Sequence, residues 1–153
     1  MDIEVKVGAL IMDPNSGSPI VVLRGVESEV VLPIWVGTYE ANAIAWEIEK
    51  VVPQRPMTHD LIKNLLVQLD VKVERVTITE LRDSTFYAVI QSVDGQGNQV
   101  SMDSRPSDAI ALALRFDCPI FVTQEVIDLS GANIVESEES PVQTSDDWPE
   151  FIE

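Results

Sequence analysis

The run Met102-Asp103-Ser104-Arg105-Pro106-Ser107-Asp108 holds the densest set of side chains able to do chemistry. It stands where a β-patterned segment hands over to an apolar helix. An arginine and a hydroxyl at a helix N-terminus, here Arg105 and Ser107, form an anion site suited to phosphate. Asp103 and Asp108 supply carboxylates that could hold a divalent cation opposite that anion. The same residues have a purely structural account. With Arg105 at the N-cap and Pro106 at N1, Asp108 falls at N3, where an acid satisfies free backbone N–H groups. Arg105 would then pair with a nearby carboxylate such as Asp103. A second set lies upstream, with Glu40 near the start of one helix and Arg55-Pro56 ahead of Thr58-His59-Asp60. His59 is the only histidine. It is therefore the only side chain whose ordinary pKa lies near neutrality, and it could take a proton from water. A polar residue in the first turn of a helix is the structural alternative.

Residue counts narrow the chemistry. One histidine and one cysteine exclude a histidine-rich metal centre and a cysteine-based zinc site. A metal here would need oxygen ligands, which points to Mg²⁺, Mn²⁺ or Ca²⁺. No glycine-rich phosphate loop suggests an organic nucleotide cofactor. Cys118 sits beside Pro119 with no evident base and reads as a packing residue in a reducing compartment. Trp35 and Trp46 read as core. The net charge is −16, and residues 131–153 contain seven acids and no Lys or Arg, which leaves −9 on the first 130 residues. Even the body is acidic, so long-range attraction to nucleic acid is absent by default. Basic residues are scattered and draw no groove.

The elements that must position these groups follow from periodicity. Residues 3–12 and 19–24 are β-branched runs around the turn cluster Asp13-Pro14-Asn15-Ser16-Gly17, and read as a hairpin. A strand at 29–36 contains Pro33, which places it at an edge or a bulge. Helix formers dominate 39–49. Thr58 is positioned to cap a second helix with Leu61, Leu65, Leu66 and Leu69 as its apolar face. Strands are expected at 71–81, 85–93, 99–103 and 120–122. Helices are expected at 106–116 and after Thr123.

The halves look like copies. Asn42-Ala43-Ile44-Ala45 matches Asp108-Ala109-Ile110-Ala111 at an offset of 66. The expected fold is α+β: a duplicated strand-strand-strand-helix unit forming one curled, mostly antiparallel sheet with packed helices. Residues 1–130 form the domain, and 131–153 an acidic, flexible tail in which Trp148 and Phe151 suggest a docking peptide for a protein partner. No signal peptide or bilayer-length apolar run is read, so a cytoplasmic chain without membrane contact is expected. Exposed strand edges in a duplicated sheet suggest a homo-oligomer.

Several blocks resemble the bifunctional nuclease domain family. They are Leu32-Pro33-Ile34-Trp35-Val36-Gly37 with Glu40-Ala41 and Ala43-Ile44-Ala45, then Arg55-Pro56-Met57-Thr58-His59-Asp60-Leu61 and Thr85-Phe86-Tyr87-Ala88. The longest runs from Asp103-Ser104-Arg105-Pro106-Ser107-Asp108 to Arg115. The resemblance spans residues 1–130 and implies cleavage of both DNA and RNA. Some members carry a C-terminal helical motif associated with nucleotide-excision-repair proteins, where this chain has its acidic tail. Side-chain chemistry within the matching blocks gives the expected site of a metal-assisted nuclease. His59, Asp60, Asp103, Asp108 and Glu40 would be catalytic, with Asp103 and Asp108 holding Mg²⁺ or Mn²⁺. Arg55, Arg105 and Ser107 would bind the phosphate of DNA or RNA. Two other readings stand beside it: a non-catalytic binding or scaffold domain whose Arg and Asp blocks are structural, and a sensor of small anions or nucleotides.

Overall fold

The computed structural model describes residues 1–131 of the 153. The chain runs β1 (Asp2–Met12), β2 (Pro19–Gly25), β3 (Val31–Trp35), α1 (Thr38–Ile48) and α2 (Thr58–Gln68). It continues as β4 (Lys72–Arg82), β5 (Thr85–Val93), β6 (Gln99–Ser104), α3 (Pro106–Phe116), β7 (Ile120–Thr123) and α4 (Gln124–Ser130). Among the described residues, no helix is long and apolar enough to cross a membrane. The expected docking peptide around Trp148 and Phe151 lies outside the described residues.

The strands form one open sheet in the order β3-β2-β1-β7-β4-β5-β6. Each half is an antiparallel meander followed by a helix, as the duplication predicts. Asp83 and Ser84 close the β4–β5 hairpin with φ of 50° and 64°, the left-handed pair that a two-residue turn between twisted strands favours. β7 zips the two meanders together. It pairs antiparallel with β1 and parallel with β4. A parallel neighbour requires a crossover, and α3 provides it by packing over β5 and β4 between the end of β6 and the start of β7. That route explains why α3 is apolar almost all round, with Ala109, Ile110, Ala111, Leu112 and Ala113 buried.

Four expectations change in detail. The helix N-caps Gly37 and Arg105 stand 68 positions apart, so the structural repeat differs from the offset of 66 by two residues. In this register Glu40 matches Asp108, and the buried Ala41, Ile44 and Ala45 match the buried Ala109, Leu112 and Ala113. The α2 N-cap is Met57 rather than Thr58. The apolar face assigned to α2 is also rotated. Leu61, Leu65 and Leu69 are exposed, while His59 is buried and Ile62 and Leu66 pack on the core. α2 packs chiefly on α3 and has no comparable contact with the sheet, so a narrow stripe of small width is enough to seat it. Finally, Trp35 is exposed on β3 and donates its Nε1–H to Asp13 Oδ2 at 3.0 Å. β3 is an edge strand, which accommodates Pro33 as expected.

Candidate active site at three helix N-termini

Glu40, Asp60 and Asp108 each occupy the third position of a helix, in α1, α2 and α3 respectively. An acid at N3 lies against free backbone N–H groups and the positive end of the helix dipole. The fold brings these three starts together. Asp108 Oδ1 lies 2.8 Å from His59 Nε2, and Asp108 Oδ2 accepts from Arg105 Nε at 2.9 Å. Arg105 Nη1 reaches Glu40 Oε1 at 2.8 Å. The result is a continuous chain His59–Asp108–Arg105–Glu40 that joins α2, α3 and α1. Gly37 makes room for its last member, since a Cβ there would meet the Glu40 carboxylate.

A second ion pair lies beside this chain. Arg115, with 4% of its side chain exposed, donates Nε–H to Asp60 Oδ1 at 2.7 Å. Its Nη1 donates to the carbonyls of Ala43 at 3.1 Å and Ala111 at 3.0 Å. Asp60 Oδ2 accepts the Met57 backbone N–H at 3.0 Å. A buried guanidinium is tolerable only when its donors are satisfied in this way.

Both networks border a cleft of about 1130 Å³ between α1, α2, α3 and the strands β5 and β6. Its polar side carries Glu40, His59, Asp103, Arg105 and Asp108, and its apolar side includes Tyr39, Trp46, Ile90, Met102 and Leu112. Burial alone would raise the Asp108 carboxyl. The hydrogen bonds and charges of Arg105 and His59 outweigh it and hold the group below its ordinary range. Asp60 is likewise lowered, with burial opposed by the Met57 N–H and by Arg115. The Arg105 guanidinium is raised by Asp108 and Glu40. An ionised Asp108 accepts only, so His59 donates through Nε2–H, and in the neutral ring Nδ1 is the nitrogen left to take a proton.

The sequence-predicted residues divide into two groups. Glu40, His59, Asp103, Arg105 and Asp108 share the cleft, and Asp60 holds Arg115 beside it. Arg105 pairs with Asp108 and Glu40 rather than with Asp103, whose side chain makes no ion pair or hydrogen bond among the described residues while its backbone lies in the β5–β6 ladder. Arg55 is exposed and does not line the cleft, and Ser107 is buried at the second position of α3, also off the cleft. Sequence reasoning overlooked Arg115. The signal was there, because Asp108, Leu112 and Arg115 recur at i, i+4 and i+7 on one helical face. Trp46, read as core, lines the cleft. Cys118 fits its packing role, since burial pushes its thiol up to about 11.

The donor set does not suit a divalent cation. Both oxygens of Asp108 are already engaged, and no group of three or more His, Cys, Asp or Glu side chains is placed to hold a metal among the described residues. A bridge from Asp103 to Asp108 would have to break a contact with His59 or Arg105. A resident ion therefore fits poorly.

The carboxylate pairs make stability sensitive to acid. A lowered folded-state pKa contributes stability that is complete above the unfolded value, near 3.9 for Asp, and is lost as pH falls through the folded value. Chemical denaturation is expected to show wild-type stability falling below about pH 5, with a smaller fall in Asp108→Asn and in Asp60→Asn. Asp60→Ala at pH 7 is expected to cost about 3 kcal/mol by leaving Arg115 buried without its counter-charge.

The family comparison agrees with the blocks that build this site. A model of the bifunctional nuclease domain matches residues 21–135. An uncharacterized protein of Mycobacterium tuberculosis is 35% identical over 142 residues, covering 93% of this chain and 84% of the relative. Bifunctional nuclease 1 of Arabidopsis thaliana is 27% identical over 122 residues, covering 78% of this chain and 38% of that protein. Bifunctional nuclease 1 of Oryza sativa subsp. indica is 25% identical over 122 residues, covering 78% and 37% respectively. The chain belongs to the bifunctional nuclease domain family.

Proposed function

We propose that this domain is a nuclease acting on DNA and RNA, and that the His59–Asp108–Arg105–Glu40 chain on the cleft is its catalytic machinery. One observation supports this reading above the rest: Asp108 orients both a titratable base and an exposed cation toward the same cleft. Arg105 is 64% exposed at its side chain even though Nε and Nη1 are held, so Nη2 is free to meet a phosphate oxygen. A guanidinium so placed stabilises charge that develops on a phosphoryl group. His59 Nδ1 accepts the proton of the attacking water as its oxygen bonds to phosphorus. The departing sugar oxygen leaves with the bond pair and takes up a proton from solvent, and His59 later returns its own to solvent. Holding His59 by its other nitrogen fixes the ring for that task. The poor fit to a resident cation leaves metal assistance as an ion arriving with the substrate phosphate, for which Asp103 is the carboxylate without a partner. A cytoplasmic setting belongs to the same proposal, since Cys118 is the only cysteine.

The competing reading is a non-catalytic domain, favoured by the pairing of both Asp108 oxygens and of Arg115 Nε and Nη1. Cleavage of single-stranded DNA, duplex DNA and RNA with Mg²⁺, with Mn²⁺ or with EDTA separates the two. His59→Ala and Asp108→Asn, each verified as folded, are expected to lose at least tenfold in rate, or about 1.4 kcal/mol of transition-state stabilisation. Activity that survives both substitutions would place the chemistry elsewhere. Absence of cleavage under every condition would favour the non-catalytic domain. Loss of activity in EDTA would assign the ion a part.

Self-association through α2 is a further part of the proposal. Leu61, Asn64, Leu65, Gln68 and Leu69 form an exposed face without a charged side chain. Two copies of an acidic body repel each other least across an uncharged apolar face. Light scattering is expected to give a mass above 16.9 kDa, restored to that of one chain by Leu61→Glu with Leu65→Glu. A single-chain mass for the wild type would remove this part and leave the catalytic reading intact.

A further inference from the structure

The charged rim occupies one side of the cleft, and the remainder asks for a different kind of contact. α1 contributes Tyr39, 87% exposed, and Trp46; α3 contributes Leu112; β5 and β6 contribute Ile90 and Met102. The Asn42 Oδ1 atom, on a residue of the cleft wall, is buried with no hydrogen-bond donor. A volume of about 1130 Å³ slightly exceeds the roughly 300–1,000 Å³ of ordinary small-molecule pockets.

Coulomb attraction cannot fill this space with a duplex. Double-stranded DNA carries one charge per roughly 1.7 Å and is held by rows of cations that neutralise several phosphates. Here Arg105 is the exposed cation, already paired with the carboxylates of Glu40 and Asp108, and Asp103 lines the same cleft. A rigid duplex laid on the cleft would press its phosphates against those acids and leave the apolar wall in water. An unstacked nucleotide meets the opposite situation. Its base has an uncharged aromatic face suited to tyrosine, tryptophan and methionine, its edge carries N–H donors, and a single phosphate suffices for a single guanidinium.

We propose that the apolar side of the cleft is a pocket for an unstacked nucleobase, with the adjoining phosphate on Arg105, so that the substrate is single-stranded nucleic acid. The inference rests on the nuclease reading for its substrate, but the pocket itself is a binding property. Tyr39 makes the outer contact. Its exposure means that Tyr39→Ala removes a stacking face without disturbing the core.

Calorimetric titration of the full chain in EDTA with AMP, CMP, ribose 5-phosphate and inorganic phosphate tests the pocket without requiring cleavage. AMP and CMP are expected to bind at least tenfold more tightly than ribose 5-phosphate. Tyr39→Ala should weaken both nucleotides at least fivefold and leave inorganic phosphate unchanged, whereas Arg105→Met should weaken all four. In the paired cleavage assay, a single strand should be cut at least tenfold faster than its duplex, with the ratio reduced in Tyr39→Ala. Ribose 5-phosphate binding as tightly as AMP, or equal rates on single strand and duplex, would overturn the base pocket and leave the nuclease reading standing. Nucleotide binding with the expected preference but no cleavage of any substrate would support the pocket and overturn the nuclease reading.

Discussion

The carboxylate of Asp108 is the joint on which this site depends. One oxygen takes His59 from α2 and the other takes Arg105 from the start of its own helix, and Arg105 carries the link on to Glu40 of α1. Three helices that meet the sheet by different routes are thereby aligned at their N-termini. Loss of that charge would release the imidazole and the guanidinium together. The two contacts act as a unit, so their energies cannot be apportioned one at a time.

Electrostatic balance explains how so many ionised groups are packed together. Glu40, Asp60 and Asp108 face two arginines, Arg105 and Arg115, and the positive ends of three helices, each equivalent to roughly half a unit charge. Local neutrality is reached without long-range help from the body, whose first 130 residues carry −9. It follows that the site's chemistry is insulated from the overall charge. Recognition is not insulated, because a polyanion approaching the molecule first meets the field of the whole surface.

Much of this arrangement was legible in the sequence, and the parts that were not have identifiable causes. Arg105-Pro106-Ser107-Asp108 reads as a helix start because proline and the N3 acid each report a local requirement of the backbone. The strand-strand-strand-helix duplication reads from alternation and turn residues in the same way. The seating of α2 does not. Leucine spacing offered a plausible face, but the choice between faces is made by a neighbour, and α3 presents Asp108 and Arg115 where α2 presents His59 and Asp60. A mixed stripe of His59, Ile62 and Leu66 is seated, and the leucines Leu61, Leu65 and Leu69 are left outside, a choice that helical spacing alone does not make. The repeat offset was missed by two residues because the Ala-Ile-Ala match outweighed the capping positions, and only the caps fix the register of a helix. Trp35 flanks a strand–helix junction and so reads as core, whereas its exposure follows from its place on an edge strand, which depends on sheet order, a long-range property.

Arg105 and Arg115 show how one side-chain chemistry divides into two roles on a single helix. Arg115 directs Nε and Nη1 into Asp60 of α2 and the carbonyls of Ala43 and Ala111 with almost no exposure, so it ties α1, α2 and α3 together. Arg105 is also held at Nε and Nη1, yet it stands mostly in solvent at the rim of the cleft. The planar fork makes this possible, because a guanidinium can be fixed along one edge and still present donors on the other. A lysine at position 105 would offer a point charge that could follow Glu40 or Asp108 but could not bridge both and remain directed outward. The pairing that makes Asp108 and Glu40 look merely structural is, on this geometry, what aims Arg105. Ion pairing and readiness for a phosphate are then two consequences of the same contacts rather than rival accounts of them.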